Sequence, residues 1–368
     1  MINKERLLAT FLDYVRIDSE SRNEAAFAAR VAEDLKEIGC EVYIDSTQEK
    51  TESNAGNVYA TLPGTVEGEA LVFSAHMDTV IPGIGIEPVV EDGVIRSKGG
   101  TVLGSDDKSG IAAVVEMLRT VRENNIPHPT LQAVFTVCEE IGLRGSKAVE
   151  PDKLAGKQVF VLDSDGDAGC IVAAAPGQYK LRATVHGRRA HAGVAPEEGV
   201  SAILVLAEAI ANMKQMRIDE ETTANVGYIH ADFPTNIVSD RAEMLAECRS
   251  RNGEKLEAQA KHMVDCLQSA CDKYGATFES TLTKSYSAYS FTEADGIVKK
   301  VTAACEKVGI PAKLIASGGG SDANVFNGVG VEAVDLGTGM SKFHTSEEFI
   351  TVENLEKLAE LVLAIATA

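Results

Sequence analysis

Positive charge is scarce in this chain: 35 lysines and arginines face 55 aspartates and glutamates over 368 residues, a formal net charge of −20. That balance argues against a general affinity for nucleic acid or anionic membrane. Long apolar runs are missing too, and none approaches the ~18 residues that a membrane span needs. The opening stretch MINKERLLATFLDYVRIDSES lacks the apolar centre of a signal peptide and has the spacing of an amphipathic helix. The seven cysteines (Cys40, Cys138, Cys170, Cys248, Cys266, Cys271 and Cys305) form no CxxC pair and no finger spacing. Their odd number and scatter disfavour a disulfide framework or a cysteine–zinc site, and a reducing, cytoplasmic setting is expected. Internal repeats and low-complexity tracts are also absent.

What is present is the balance of a soluble globular protein, with 45% hydrophobic and 24% charged residues. The length predicts about two domains on a prior of ~150 residues each. Helical spacing of Leu7, Leu8, Phe11, Leu12 and Val15, and again around residues 22–38, where Gly39 stops it, precedes the strand-like runs CEVYID, GNVYATLPG and ALVFSA. A helix at SGIAAVVEMLRTVREN then leads to the strand-like LQAVFTVC and KQVFVLD. Continuous apolar strands alternating with helices predict a mostly parallel sheet covered on both faces. After APGQ the pattern changes. Tyr179, Leu181, Ala183 and Val185 alternate with polar residues, as in a sheet with one wet face. Helices near 199–213 and 253–274 and strands near 224–232, 242–249 and 276–286 complete a βαββαβ unit. The expected organisation is an α/β domain, residues 1–177 and 291–368, interrupted by an α+β insertion, residues 178–290.

Acidic and histidine clusters follow the strand-like runs of the α/β part. They are His76 and Asp78 in SAHMDTV, Asp106 and Asp107 in LGSDDKSG, Glu139 and Glu140 in FTVCEEIG, and Asp163 and Asp165 in VFVLDSDGD. His344 in SKFHTSEE lies beyond the insertion. In open α/β sheets the carboxyl ends of the strands line the ligand crevice, so these clusters can converge. Carboxylates gathered there repel one another and are costly to desolvate unless cations neutralise them. One cation leaves the inventory over-supplied and two fit it. Asp106 would bridge both, with His76 and Asp163 completing one site and Glu140 and His344 the other. Two divalent ions, three carboxylates and a bridging hydroxide sum to zero charge. Mixed nitrogen and oxygen ligands favour zinc, with cobalt or manganese as the other candidates. Asp78 shares a strand face with His76 and is placed to orient its imidazole. Glu139 is free to take a proton from the water between the ions and deliver it to a leaving amine. An acidic pair ahead of a helix, such as Asp106–Asp107, also suits N-capping.

In combination and order, HMDTV, GSDDKSG, CEEIG, GRRAHAG, SGGGSDAN and FHT resemble the co-catalytic zinc metallopeptidase superfamily that includes aminoacylase and succinyl-diaminopimelate desuccinylase. Within it the chain is most similar to peptidase T-like enzymes, and the resemblance runs along essentially the whole sequence. It implies His76, Asp106, Glu140, Asp163 and His344 as metal ligands, with Asp165 as the alternative to Asp163. Asp78 then matches the orienting acid and Glu139 the general base and acid. The resemblance also implies a cis peptide between Asp106 and Asp107, and a lid and dimerisation role for the insertion, hence a homodimer. His191 resembles the lid histidine that stabilises the oxyanion; Asn236, Arg249, Gly318, Gly319 and Gly320 resemble substrate contacts. The expected activity is hydrolysis of short peptides by a two-zinc tripeptidase or aminopeptidase-like enzyme. The alternatives are an N-acyl amino acid deacylase or desuccinylase using the same metal chemistry, a catalytically silent metal-binding relative, and a two-metal phosphoesterase.

Overall fold

The run LVFSAH forms the strand Leu71–His76, buried at every position, as an unbroken apolar run requires once both faces of a sheet are covered. In the computed structural model, which describes all 368 residues, this strand lies between Leu131–Thr136 and Gln158–Ser164 and is parallel to both. Glu332–Gly337 continues the parallel set beside Gln158–Ser164. Antiparallel strands lie outside this centre: Val58–Leu62 and Glu41–Ile44 on one side, Cys170–Ala175 on the other. The fold class is α/β, a central parallel sheet flanked by helices. A small three-stranded sheet of Pro88–Glu91, Val94–Ser97 and Phe349–Thr351 has no counterpart in the sequence reading. Its strands are only three or four residues long, too short for periodicity to register.

The helix Ser105–Glu123 packs against the sheet on one side and against the helices Lys4–Val15 and Val352–Ala366 on others. Ile111, Ala112, Ala113, Val114, Val115, Met117 and Leu118 are all buried, the signature of a helix enclosed on every side. Its approach to the sheet needs Gly110, where a Cβ would stand 2.7 Å from the carbonyl oxygen of Leu162. The helix Ala25–Ile38 ends at Gly39, whose φ of 96° and N–H to the Leu35 carbonyl form a left-handed cap.

The chain divides into two units: Met1–Ala173 with Phe291–Ala316 and Ser321–Ala368, and Ala174–Ser290 with Ser317–Gly320. The first has its own core, in which Phe73, Phe135 and Phe160 are fully enclosed. The second has a separate core behind a five-stranded antiparallel sheet. There Leu181, Ala183, Val185 and Met244 point toward the helices Ala202–Asn212 and Gly253–Tyr274. The glycine stretch Ser317–Gly320 groups with this second unit although it lies beyond residue 291 in sequence. No helix is long and apolar enough to cross a membrane.

Candidate metal centre

Register delivers the first ligands. The strand Leu71–His76 pairs His76 with Thr136 on one neighbour and Ser74 with Val161 on the other. Carried two residues further, the second register brings His76 level with Asp163, across the 4.7–4.9 Å that separates adjacent strands. His76 Nε2 lies 3.3 Å from Asp163 Oδ1 and 2.9 Å from Asp106 Oδ1. The other oxygen of Asp106, Oδ2, faces a second imidazole: His344 Nε2 is 3.2 Å away, and the same nitrogen is 2.9 Å from Glu140 Oε1. One carboxylate thus turns each oxygen to a different histidine, and each histidine has a further carboxylate of its own. Ligand atoms of His76, Asp106 and Glu140 lie within 4.8 Å of one another, as do those of His76, Glu139 and Asp163. Imidazole nitrogens and carboxylate oxygens are donors that suit zinc and its neighbours among divalent ions, so this set fits metal binding. Asp165 stands apart; it is exposed and accepts only from the Ser164 hydroxyl.

A ring of buried acids fixes these ligands through backbone contacts. The Asp78 carboxylate accepts the N–H groups of Glu139 at 2.9 Å and Glu140 at 3.3 Å, and the Ser21 hydroxyl. The nearer partner of His76 Nδ1 is the Asp78 carbonyl at 2.9 Å, with Asp78 Oδ1 at 3.5 Å. Asp78 therefore orients the imidazole mainly through its main chain and spends its carboxylate on the Glu139–Glu140 turn. Cys138, which opens that turn at φ 53°, donates its N–H to the buried Glu24. Asp107 accepts the His76 N–H, Asp335 the Asp163 N–H, and Asp322 the Thr136 hydroxyl. The peptide between Asp106 and Asp107 is cis. Asp107 is not used as a helix cap; its backbone and that of Asp106 are non-helical at the head of the helix Ser105–Glu123. The sequence reading passed over Glu24, Asp322, Asp335 and Glu348. For Asp335 a signal existed: an acid within the otherwise apolar run AVDLG, buried throughout, is out of place in a core strand unless it has partners.

The electrostatics follow from burial and crowding. Burial pushes the Asp163, Glu139 and Glu140 carboxyls up, and neighbouring acids add to it. Burial pushes Asp335 to about 7. Asp106 goes the other way: although burial opposes its ionisation, hydrogen bonds from His344 and His76 hold it below the carboxylate range. His344 is raised to about 10 by Asp106 and Glu140. Burial disfavours a charged His76, yet Asp163 and Asp106 hold its pKa well above the usual range. The pocket calls for positive charge, and Asp106 is where negative charge is held best.

The remaining sequence candidates lie in the second unit and form two groups. His191 forms an isolated bridge with Ile237, and the Ala192 N–H donates to the Asn236 carbonyl at 2.9 Å; His191 and Asn236 are both exposed. Arg249 pairs with Glu247, Nε to Oε1 at 2.8 Å, and its Nη1 lies 3.5 Å from the Gly318 carbonyl. A Cβ at Gly320 would fall 2.4 Å from the Tyr286 ring, which would have to shift to admit it. Gly318 meets nothing within 4 Å, and Gly319 meets only the Ser317 hydroxyl.

Residues 72–368 match peptidase family M20/M25/M40. An uncharacterized protein of Bacillus subtilis (strain 168), YqjE, is 43% identical over 99% of this chain and 98% of its own. The crystal structure of an aminopeptidase PepT from Bacillus cereus ATCC 10987 superposes with a TM-score of 0.94 at 44% identity, covering 100% of this chain and 98% of that one. A tripeptidase from Staphylococcus aureus subsp. aureus Mu50 does so with 0.96 at 39%, covering 100% and 98%.

Proposed function

The chain belongs to peptidase family M20/M25/M40 as a peptidase T-like, metal-dependent hydrolase, and from that premise we propose that it is a two-zinc exopeptidase of short peptides. The observation that carries the two-ion reading is Asp106, whose Oδ1 faces His76 and whose Oδ2 faces His344. His76, Asp163 and Asp106 would hold one ion and His344, Glu140 and Asp106 the other. When bound, the ions supply Lewis-acid charge to the attacking water and the scissile carbonyl. The protein supplies the proton traffic. Glu139 coordinates neither ion in this scheme, is buried, and has its carboxyl pushed up by burial and then by Asp163, which suits a group that accepts the water's proton and returns it to the leaving amine. Asp78 keeps Glu139 aimed by holding its backbone.

Likeness to an aminopeptidase and a tripeptidase at 44% and 39% identity supports peptides over N-acyl amino acids. On this reading residues 178–290 act as lid and dimerisation domain. His191 stabilises the oxyanion, and Asn236, Arg249 and the backbone of Gly318, Gly319 and Gly320 contact substrate. A reducing cytoplasm as the place of action accords with seven free cysteines. The deciding test is a substrate panel on metal-stripped protein reconstituted with defined zinc: tripeptides and dipeptides against N-acetyl and N-succinyl amino acids. Tripeptide turnover that appears with zinc and vanishes with chelator is expected. Preference for the acylated amino acids would replace the exopeptidase with a deacylase.

A further inference from the structure

Glu348 follows His344 by four residues and takes no place among the ligands, yet it is buried and its carboxylate receives four donors. Oε2 accepts the N–H groups of Leu103 at 2.7 Å and Gly104 at 3.0 Å. Oε1 accepts the Ser105 hydroxyl at 2.6 Å and the N–H of Asp106 itself at 3.1 Å. These donors are the turn that presents the bridging carboxylate. Gly104 there has φ 74°, so its N–H lies outside any regular ladder and needs an acceptor.

The same side chain belongs to the loop that presents His344. Ser341 and Phe349 close that loop by exchanging backbone hydrogen bonds. Inside it Lys342 and His344 sit at φ 53° and 61°, conformations that persist only where surrounding contacts impose them. The Thr345 hydroxyl donates to the Lys342 carbonyl, and the Glu348 N–H to the Thr345 carbonyl. His344 is the least enclosed of the proposed ligands, its side chain 47% exposed against 1% for His76. His76 and Asp163 are held by strand pairing and by acceptors for their N–H groups; His344 has no strand.

We propose that Glu348 is a positioning residue that clamps the His344 loop to the Asp106 turn and thereby sets the affinity for the ion held on the His344 side. The inference rests on the two-ion reading. Loss of the clamp loosens His344 and Asp106 together, whereas the ion on His76 and Asp163 keeps ligands fixed by the sheet. Binding of that first ion therefore changes less.

The test is a competition titration of metal-stripped full-length protein with zinc against a chromophoric chelator, read as two successive affinities and independent of hydrolysis. For Glu348→Gln the weaker-binding step is expected to lose affinity by about 10–100-fold, the usual cost of removing a group that orients a ligand, while the tighter step, which shares Asp106, loses distinctly less. Ser105→Ala removes a single donor and should shift the same step in the same direction by about tenfold or less; it carries the test if Glu348→Gln does not fold. Glu116→Gln is the control. Glu116 is an equally buried carboxylate that accepts from Asn3 and Arg6 and should lower the melting temperature without altering the zinc profile. Two unchanged affinities in Glu348→Gln or, failing its folding, in Ser105→Ala would overturn the inference alone. An equal loss of zinc in Glu116→Gln would do the same. A wild-type protein that takes up only one zinc would overturn the two-ion reading and the inference with it.

Discussion

The roles of Glu139 and Glu140 separate at the scale of single residues. They are neighbours in sequence, their N–H groups share one acceptor in Asp78, and yet only Glu140 reaches His344. Glu139→Gln keeps the shape of the side chain and removes its basicity. It is expected to cut turnover by at least ~10² while zinc stoichiometry, measured by elemental analysis, stays at the wild-type value. Loss of zinc instead would make Glu139 a ligand. Such a result would have some geometric basis, since its oxygen lies within the His76 and Asp163 cluster. His76, Asp106, Glu140 and Asp163 were legible as candidates because each follows a strand-like run within a short acidic or histidine motif, a feature that survives without any knowledge of distance; His344 in SKFHTSEE had only its place beyond the insertion and its family resemblance. The acids behind them were not. Glu24, Asp322 and Asp335 act by accepting hydrogen bonds from the Cys138 N–H, the Thr136 hydroxyl and the Asp163 N–H, all far away in the chain, and no local spacing encodes such a partner.

At the scale of elements, the parallel sheet was readable because burial on both faces erases alternation, and the inserted unit because its alternation returns. Register was not readable, and register is what sets His76 beside Asp163. The approach of the helix Ser105–Glu123 to the sheet is equally a matter of contact. Gly110 has a helical backbone and an ordinary place in the sequence SGIAAVV, yet a methyl there would meet the Asp107 carboxylate at 2.6 Å and the Leu162 carbonyl at 2.7 Å. Backbone cannot yield as a flexible side chain does. Gly110→Ala should therefore destabilise the protein by about 1–3 kcal/mol, despite alanine's better helix propensity, and should weaken zinc binding because the helix carries Asp106. Chemical denaturation of the metal-free variant measures the first effect. An unchanged or increased stability would mean that helix and sheet are not in contact at this position.

For the whole molecule the acid surplus has a sign that can be worked out. Burial raises Asp335 to about 7 from about 3.9 in an unfolded chain, so between these values the folded state holds a proton that the unfolded state has lost. Its stabilising contribution is complete below about pH 4 and disappears as pH rises through 7, at up to about 1.4 kcal/mol per pH unit. Asp163, Glu139, Glu140, Asp107 and Asp322 are shifted upward as well and act with the same sign. His344, raised to about 10, extends the decline above neutrality; within the ligand cluster Asp106 opposes it in the acid range, and Lys108, lowered to about 7 by burial, opposes it above neutrality. Metal-stripped protein should thus melt higher at pH 5.5 than at pH 8. General repulsion within a chain of net charge −20 would slope the same way, so the decline alone does not isolate the pocket. Two comparisons do. Saturating zinc competes with these protons and should raise the melting temperature more at pH 8 than at pH 5.5, and Asp335→Asn should flatten the slope of the metal-free protein while leaving its net charge near −20. A zinc increment that is no larger at pH 8, together with an unaltered slope in Asp335→Asn, would place the pH dependence on the surface and remove the buried acids as its cause.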